Sequence, residues 1–252
     1  MNCLSRLPRL KPLLLAAAMS FLLPGGVNSA GMQEIDGFSI DRTEVSVGQF
    51  RQFVKDTGLI TKAEKTGGGL VYGAGWERKT GWTWASPYGS PARDNEPAVH
   101  VTFDEAGTYC TWAGKRLPKD TEWEKAAFTE TRPTPSPPFV TGTTYDYPTG
   151  SSPLGANCLN DCGPTPAIDY SARLNRGTGH ALVGTTKPGV NGLYDMGANV
   201  WEWTEDGASS EKRTRGGSWW YGAFRMKAGD IATKPREMAV VYIGFRCAKD
   251  IE

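Results

Sequence analysis

Apolar side chains recur at helical spacing in two stretches of the chain. Residues 47–57 carry four of them on one face: Val47, Phe50, Phe53 and Val54. Because Ser46 suits an N-cap and Gly58 suits a C-terminal stop, we predict a helix over residues 47–57. Residues 104–113 repeat the pattern on one face, with Ala106, Tyr109, Cys110 and Ala113. A shorter helical turn is predicted over residues 121–127.

The predicted strands are short, and helical periodicity is otherwise scarce. Runs of apolar residues predict strands over residues 35–40, 99–103, 192–194, 200–204 and 240–245. Glycine (31 residues) and proline (17 residues) make up about a fifth of the 252-residue chain. Short strands, few helices and many turn residues predict a loop-rich α+β fold. The length after residue 30 suits one domain over residues 31–252, although two small domains would also fit.

The first 30 residues have the pattern of a secretory signal peptide. Three basic residues precede an uncharged, mostly apolar run of 11 residues over 13–23, and small residues follow. The run is too short to cross a bilayer, which takes about 20 residues. We expect cleavage near Ser29 or Ala30, a periplasmic or secreted protein, and no membrane anchor after cleavage.

Charge excludes some classes of partner. The predicted leader holds three basic and no acidic residues, so the rest of the chain has 25 basic against 27 acidic side chains and no basic block. Nucleic acid and anionic membrane are therefore poor partners for it. The sequence leaves the oligomeric state open.

Four cysteines remain after the leader, and an even number in an exported chain predicts disulfides. They are Cys110, Cys158, Cys162 and Cys247. The local spacing of Cys158 and Cys162 suggests one pair, which leaves Cys110 for Cys247. A free dithiol at Cys158 and Cys162 is the alternative.

The segment over residues 192–203 combines two acids, Asp195 and Glu202, with two tryptophans around a Gly-Ala-Asn turn. An aromatic-rich segment of this kind is expected to be buried. A buried carboxylate is costly unless it is paired or metal-bound. The two acids therefore indicate either a hard-cation site or a structural ion pair, for example with Arg215 or Arg246.

Motifs along nearly all of the chain after the leader follow the order of one known family. They cover residues 38–47, 57–64, 97–103, 109–118, 122–124, 192–203, 215–219 and 244–247. In this order they resemble the formylglycine-generating enzyme family, also called sulfatase-modifying factors, and within it the exported pyoverdine-maturation branch that lacks the copper cysteines. The resemblance implies a compact, loop-rich α+β fold, distantly like that of C-type lectins. It also supports the pairing of Cys110 with Cys247.

The resemblance implies structural calcium, which prefers oxygen ligands. The ligands of one family site map onto the side chains of Asp195 and Glu202 and the carbonyls of Ala198 and Val200. A second family site maps onto Asn157, the carbonyl of Cys158, and Asn175.

The chain departs from the family at the redox centre. Formylglycine-generating enzymes bind copper through two cysteines, and ungapped alignment places Tyr221 and Met226 at those positions. Thiolates hold Cu(I) well, whereas a phenol and a single thioether are poor replacements for them. We therefore expect no copper and no formylglycine generation. Iron is not expected either, since iron-binding relatives use three histidines and this chain has only His100 and His180.

The segment after Gly216-Gly-Ser218 lies where the family places its cleft. The candidate catalytic residues are Ser218, Tyr221 and Arg225. The candidate cleft residues are Trp219, Trp220, Phe224, Met226, Trp82 and Trp84. Aromatic rings can stack on a planar or peptide-like ligand, and an arginine can bind a carboxylate. The alternatives are that the aromatic residues form a core strand and that the serine makes a backbone hydrogen bond at a turn.

Two classes of function fit these observations. The first is an exported enzyme that oxidatively modifies a peptide-like or small-molecule substrate. The second is a non-catalytic module that binds a ligand or a protein on the same fold. Convergence of Tyr221, Arg225 and a carboxylate such as Glu64 in one open pocket would favour catalysis.

Overall fold

A computed structural model describes Met1 and residues 31–251, so the rest of the predicted signal peptide lies outside the described residues. The described helices are α1 (Val47–Thr57), α2 (Lys62–Lys65), α3 (Phe103–Trp112) and α4 (Asp120–Phe128). The described strands are β1 (Met32–Ile35), β2 (Phe38–Asp41), β3 (Leu70–Tyr72), β4 (Trp76–Arg78), β5 (Trp201–Gly207), β6 (Glu211–Arg215), β7 (Ala232–Pro235), β8 (Ile243–Gly244) and β9 (Ala248–Asp250). The result is a compact α+β fold with several small sheets.

The strands form three sheets within the described residues. One has the order β1-β2-β9, the second is the hairpin β3-β4, and the third has the order β7-β6-β5-β8. In the third sheet β5 pairs antiparallel with β6 and parallel with β8. None of the helices within residues 31–251 is long and apolar enough to cross a membrane.

The predicted helix over residues 47–57 is confirmed. The Ser46 hydroxyl accepts a hydrogen bond from the Gln49 amide, and the Gln49 side-chain oxygen accepts one from the Ser46 amide, which completes a capping box. Gly58 ends the helix at φ 68°, a left-handed conformation that glycine adopts without a side-chain clash. The other two predicted helices are present as α3 and α4, with shifted ends.

Several predicted strands are wrong or shortened. The predicted strand over residues 35–40 is interrupted, because Ile35 ends β1, Asp36 and Gly37 (φ 91°) reverse the chain, and residues 38–40 belong to β2. Residues 99–102 are irregular, since His100 has φ 58°. Residues 192–194 do not form a strand, and within 240–245 only the two residues of β8 do.

The main core lies between α1, α3 and the third sheet. Its aromatic centre is a cluster of rings in contact: Phe50, Phe53, Tyr109 and Phe245. Such rings bury a large apolar area and contribute much of the stability of a small domain. The structure joins Cys110 of α3 to Cys247, which closes a separation of 137 residues, and Cys158 to Cys162.

A buried polar network joins irregular segments. His180 lies 2.8 Å from a Glu96 oxygen through Nε2 and 3.1 Å from the Tyr88 hydroxyl through Nδ1. The Tyr170 hydroxyl donates to the same Glu96 carboxylate, and its ring stacks on Tyr88 at 3.9 Å. Burial lowers the pKa of His180. Burial also opposes ionisation of Glu96, but hydrogen bonds, first that from His180, outweigh it and lower its pKa.

Candidate functional site

The segment over residues 195–202 makes a tight turn before β5. Asp195, Ala198 and Asn199 have φ values of 60°, 59° and 49°, which non-glycine residues adopt only at some cost. Hydrogen bonds of Asn199 stabilise the turn and offset part of this cost. Its side-chain oxygen accepts them from the Ala181 amide and from the Asn157 side chain. The turn directs Asp195 and Glu202 inwards, and they are 3% and 0% exposed.

Glu202 forms a buried ion pair with Arg246. The guanidinium donates from Nε and Nη2 to the two carboxylate oxygens, both at 2.7 Å. The Trp123 indole donates to the same carboxylate at 2.7 Å. Arg215, the other candidate partner, instead pairs with Asp120 at 2.6 Å. The ion-pair alternative therefore has a clear geometry, and the partner is the arginine of the Gly-Phe-Arg-Cys motif.

Two further buried acids surround this pair. Glu44 accepts from the Asn199 side chain at 2.6 Å and from the Val200 amide at 3.1 Å. Burial, and then the negative charges of Asp195 and Glu202, raise the pKa of Glu44 well above its usual value. Burial also raises the pKa of Asp195. We call Glu44, Asp195, Glu202 and Arg246 the acid cluster; it holds three carboxyl groups and one guanidinium.

The carboxylate oxygens of Asp195 and Glu202 are engaged by protein donors. Asp195 accepts from the Gly184 amide and the Thr186 hydroxyl, both at 2.6 Å, and Glu202 has both oxygens on Arg246. Within residues 31–251, no group of three or more His, Cys, Asp and Glu side chains is arranged to hold a metal ion. The excess of acids suits a cation by charge, but this arrangement leaves no carboxylate oxygen of Glu202 without a protein donor. Calcium here stays a prediction.

The residues of the second predicted calcium site lie in different surroundings. Asn157 is buried, and its side-chain nitrogen donates to Asn199 at 3.0 Å. Cys158 is held in its disulfide. Asn175 is exposed, with its side-chain nitrogen beside Gly73 of the β3-β4 turn. This site therefore has no assembled geometry in the structure.

The residues at the family's copper positions do not fit copper. Tyr221 is half-buried, with its ring 5.9 Å from those of Trp201 and Tyr242. Met226 is buried, and its sulfur lies 3.8 Å from that of Cys162, which is already in a disulfide. A phenol packed between rings and a thioether facing a disulfide do not make a thiolate pair.

An exposed aromatic surface lies beside this segment. Trp76 of the β3-β4 hairpin contacts Tyr72 and Tyr242, with ring centroids 5.2 Å and 6.5 Å away. Tyr242 in turn contacts Trp220 and Tyr221 at 5.7 Å and 5.9 Å. Tyr72 and Trp76 are 43% and 47% exposed, Tyr221 is half-buried, and Trp220 and Tyr242 are buried beside them. We call these five residues the aromatic face.

Three cations lie over rings at or beside the aromatic face. Arg176 lies 6.0 Å from the Trp220 ring, Arg225 lies 5.5 Å from the Tyr221 ring, and Lys234 lies 5.6 Å from the Trp201 ring. Such contacts are favourable at this range. Burial, and then the nearby charge of Arg225, lower the pKa of Lys234.

One acid lies among these cations. Asp230 pairs with Arg225 at 2.8 Å. A second acid considered for this region, Glu64, instead accepts from the Thr61 amide and hydroxyl at the start of α2. The carboxylate that Arg225 contacts is therefore that of Asp230 and not that of Glu64.

Several predicted cleft residues belong to the core instead. Trp219 and Met226 are each 1% exposed. Trp82 packs on Tyr88 and Trp84 packs on Phe50. Their positions follow from packing: the rings fill space under the loops that carry them. Phe224 is the opposite case, because its side chain is 63% exposed beside Arg225.

Ser218 is fully buried, and its hydroxyl oxygen accepts from the Trp220 amide at 3.4 Å. This geometry is that of the turn alternative, because a buried hydroxyl without a neighbouring base is not an activated nucleophile. Gly216 and Gly217, with φ of 93° and 79°, make the turn. A Cβ on Gly217 would lie 3.1 Å from the Arg225 carbonyl, so the two parts of this segment pack closely.

Sequence reasoning missed Tyr242, Lys234 and Arg176 as members or neighbours of this surface. Tyr242 stood inside a predicted strand, where an aromatic side chain usually indicates core. Nothing near Arg176 or Lys234 in the sequence points to an aromatic partner. The exposed pair Tyr72 and Trp76 could be suspected, since they lie in a glycine-rich loop with several aromatic residues.

Known proteins share this sequence and fold. The Sulfatase-modifying factor enzyme 1-like domain matches residues 17–251. A formylglycine-generating enzyme from Thermomonospora curvata is 30% identical, over 97% of each chain. A hercynine oxygenase from Mycolicibacterium thermoresistibile is 31% identical, over 69% of this chain and 37% of that protein. The solved structure of PvdO from Pseudomonas aeruginosa superposes with a TM-score of 0.55 at 20% identity, over 85% of this chain and 80% of that one, which shows the shared fold. The chain therefore belongs to the formylglycine-generating enzyme, or sulfatase-modifying factor, family.

Proposed function

We propose that this protein is an exported enzyme that oxidatively modifies a peptide-like or small-molecule substrate bound at the aromatic face. Its relatives include a formylglycine-generating enzyme and a hercynine oxygenase, whose names describe oxidative chemistry. The chemistry would differ from formylglycine generation, because Tyr221 and Met226 offer no thiolate pair for copper.

The observation that carries this proposal is the aromatic face with its cations. Tyr72 and Trp76 expose flat apolar surface on which a ring or peptide plane can stack. Arg176 and Lys234 lie over rings beside them and have no ion pair within residues 31–251. An acidic ligand with an aromatic group matches both features, since charge complementarity favours capture and orientation.

The experiment uses the mature protein with a library of short peptides that contain tyrosine and glutamate. Binding is measured by quenching of tryptophan fluorescence, and modification is followed by oxygen uptake and mass spectrometry. We expect peptides that bind and that lose hydrogen or gain oxygen. Trp76→Ala should abolish both effects, whereas Ile60→Ala, which removes an exposed apolar side chain elsewhere, should leave them intact.

A binding module is the second candidate, and one observation favours it. Arg225 is paired with Asp230, and Ser218 is buried, so the candidate catalytic groups are engaged in the protein's own contacts. Peptide binding that depends on Trp76, without oxygen uptake or a mass change, would favour this candidate. Absence of both binding and modification would contradict the two together.

We further propose that the protein binds structural Ca²⁺ at the turn between Asp195 and Glu202. The support is the excess of buried carboxyl groups over cations in the acid cluster. Wild type should melt at a higher temperature with calcium than with a chelator, and Glu202→Ala should melt lower and lose this response. Equal melting temperatures of wild type in both conditions would contradict the site.

We propose a periplasmic or secreted location, with cleavage near Ala30. Amino-terminal sequencing of the protein from a periplasmic extract tests this directly. A mature chain that begins close to Gly31 supports it, and an uncleaved chain in the cytoplasmic fraction contradicts it.

A further inference from the structure

Two guanidinium groups converge beside the 3-10 turn over residues 190–192. A Cβ added to Gly192 would lie 2.8 Å from Arg132 Nη1 and 3.4 Å from Arg42 Nη2. The two guanidinium groups therefore both lie close to one backbone position. Gly192 has φ 68° and leaves the space between them free of a side chain. Like charges brought this close repel each other, unless a negative group lies near them.

The protein supplies one acid here, and it is already engaged. Glu130 is fully buried and accepts from Arg132 Nε and Nη2, both at 2.8 Å, and from the Asn191 amide at 3.0 Å. This arrangement leaves Arg132 Nη1 outside the ion pair. Arg42 donates to the Gly192 carbonyl at 3.3 Å and forms no ion pair within residues 31–251.

Arg42, Arg132 and Gly192 line a cavity of about 240 Å³. Lys187 is exposed at its edge and adds a third positive charge, again without an ion pair among the described residues. An apolar part of the wall comes from Pro137, Pro138 and Phe139. The cavity thus combines a cationic side with an apolar side.

Both arginines are held in place before any ligand arrives. The Arg42 guanidinium donates to the Gly192 carbonyl at 3.3 Å, and hydrogen bonds with Gly31 and Tyr194 hold its main chain. Arg132 is fixed by its two-bond contact with Glu130 and lies over the Phe139 ring at 6.0 Å. Pre-organised guanidinium groups bind oxyanions well, because little side-chain freedom is lost on binding.

We propose that Arg42, Arg132 and Lys187 form a binding site for a small ligand that carries an oxyanion group. The oxyanion lies between the two guanidinium groups, and the rest of the ligand lies on the proline and phenylalanine wall. The oxyanion is a carboxylate or a phosphate, since both accept paired hydrogen bonds from arginine. The site shares no residue with the aromatic face, so it stands or fails independently of the proposed activity.

The test is isothermal titration of the mature protein with inorganic phosphate and with benzoate, at an ionic strength held constant with sodium chloride. We expect saturable binding of at least one probe. Arg42→Gln should weaken it by at least about tenfold, since hydrogen bonds to charged groups are lost. Lys187→Gln, at an exposed position, should weaken it by a smaller factor.

The control variant is Lys249→Gln, which removes one positive charge from an exposed residue of β9 and should bind as wild type does. Circular dichroism checks that each variant is folded. Tighter binding of benzoate would identify an aromatic carboxylate as the ligand class, and tighter binding of phosphate would identify a phosphate group. No saturable binding of either probe, or equal binding by wild type, Arg42→Gln and Lys187→Gln, would overturn the proposal.

Discussion

The acid cluster and the aromatic face are both rich in groups that bind ligands, but they use them differently. In the acid cluster the carboxyl groups of Glu44, Asp195 and Glu202 are buried and accept hydrogen bonds from the protein. On the aromatic face, the rings of Tyr72 and Trp76 are exposed, and Arg176 lies over the ring of Trp220. The difference indicates that the segment over residues 195–202 maintains the fold, and it is consistent with the proposal that the segments around Trp76 and Tyr221 contact ligands.

One disulfide lies near each of these regions. Removing each in turn is expected to give the largest difference in the free energy of unfolding. Cys247 directly follows Arg246 of the acid cluster, whereas Cys158 and Cys162 flank Leu159, whose amide donates to the Tyr221 carbonyl at 2.9 Å. In the chain-entropy model, a bond that closes 137 residues contributes about 5 kcal/mol, and one that closes four residues contributes about 2 kcal/mol. Urea unfolding of the Cys110→Ala/Cys247→Ala and Cys158→Ala/Cys162→Ala proteins measures both losses. Equal losses would contradict this ranking.

Arg246→Ala should destabilise the protein by disrupting the acid cluster. It leaves Glu202 buried without its cation, which typically costs about 3–5 kcal/mol. The matched control is Arg236→Ala, because Arg236 pairs with Asp104 at the surface and such pairs contribute about 0–1 kcal/mol. Urea unfolding compares the two variants. A loss of less than about 1 kcal/mol for Arg246→Ala would mean that the acid cluster is not structural.

Acid should weaken the core under the β3-β4 hairpin. Burial lowers the pKa of His100 from 6.5 to about 4, so the folded state holds this imidazole neutral. The unfolded state binds the proton first, and stability falls as the pH drops below about 6.5. The loss from this residue should be about 2 kcal/mol between about pH 8 and about pH 5.

The matched variant for the pH effect is His100→Asn, because asparagine tolerates the φ of 58° at this position. Urea unfolding at both pH values should show a smaller pH dependence for the variant than for wild type. The same dependence in both proteins would show that other groups, such as His180, account for the acid sensitivity.

The smallest change in stability is expected at Phe224, beside the aromatic face. Phe224→Ala removes a side chain that is 63% exposed, so the free energy of unfolding should change by no more than about 0.5 kcal/mol. Peptide binding should nevertheless weaken, since the ring lies beside Arg225. Differential scanning calorimetry and fluorescence titration measure the two effects. A large loss of stability would show that this part of the surface is structural as well.

Sequence patterns predicted the helices well because periodicity and capping are local. Helix α1 begins after Ser46 and ends at Gly58 in the structure, as the sequence predicts. The strand over residues 99–103 failed because the conformation of His100 is imposed by tertiary contacts, including its hydrogen bond with the Pro87 carbonyl. The resemblance to a family gave the fold, which the similarity to PvdO supports.

The candidate site was predicted less well, since an aromatic residue has the same sequence pattern in a core and in a cleft. Trp219 and Trp84 are buried, whereas Trp76 is exposed, and no local signal separates them. The pairing of Glu202 with Arg246 joins residues 44 positions apart. Sequence reasoning could name both candidate arginines, but only the fold chooses between them.

The buried network of Glu96, His180, Tyr88 and Tyr170 has a consequence for motion. It connects segments that are neither helix nor strand, and the His180 amide donates to the Tyr88 hydroxyl inside it. Slow amide exchange is usually expected in regular secondary structure, but burial and a stable hydrogen bond are what protect an amide. In this protein, loops should therefore exchange as slowly as strands around residue 180, and the irregular part of the chain should open as one cooperative unit.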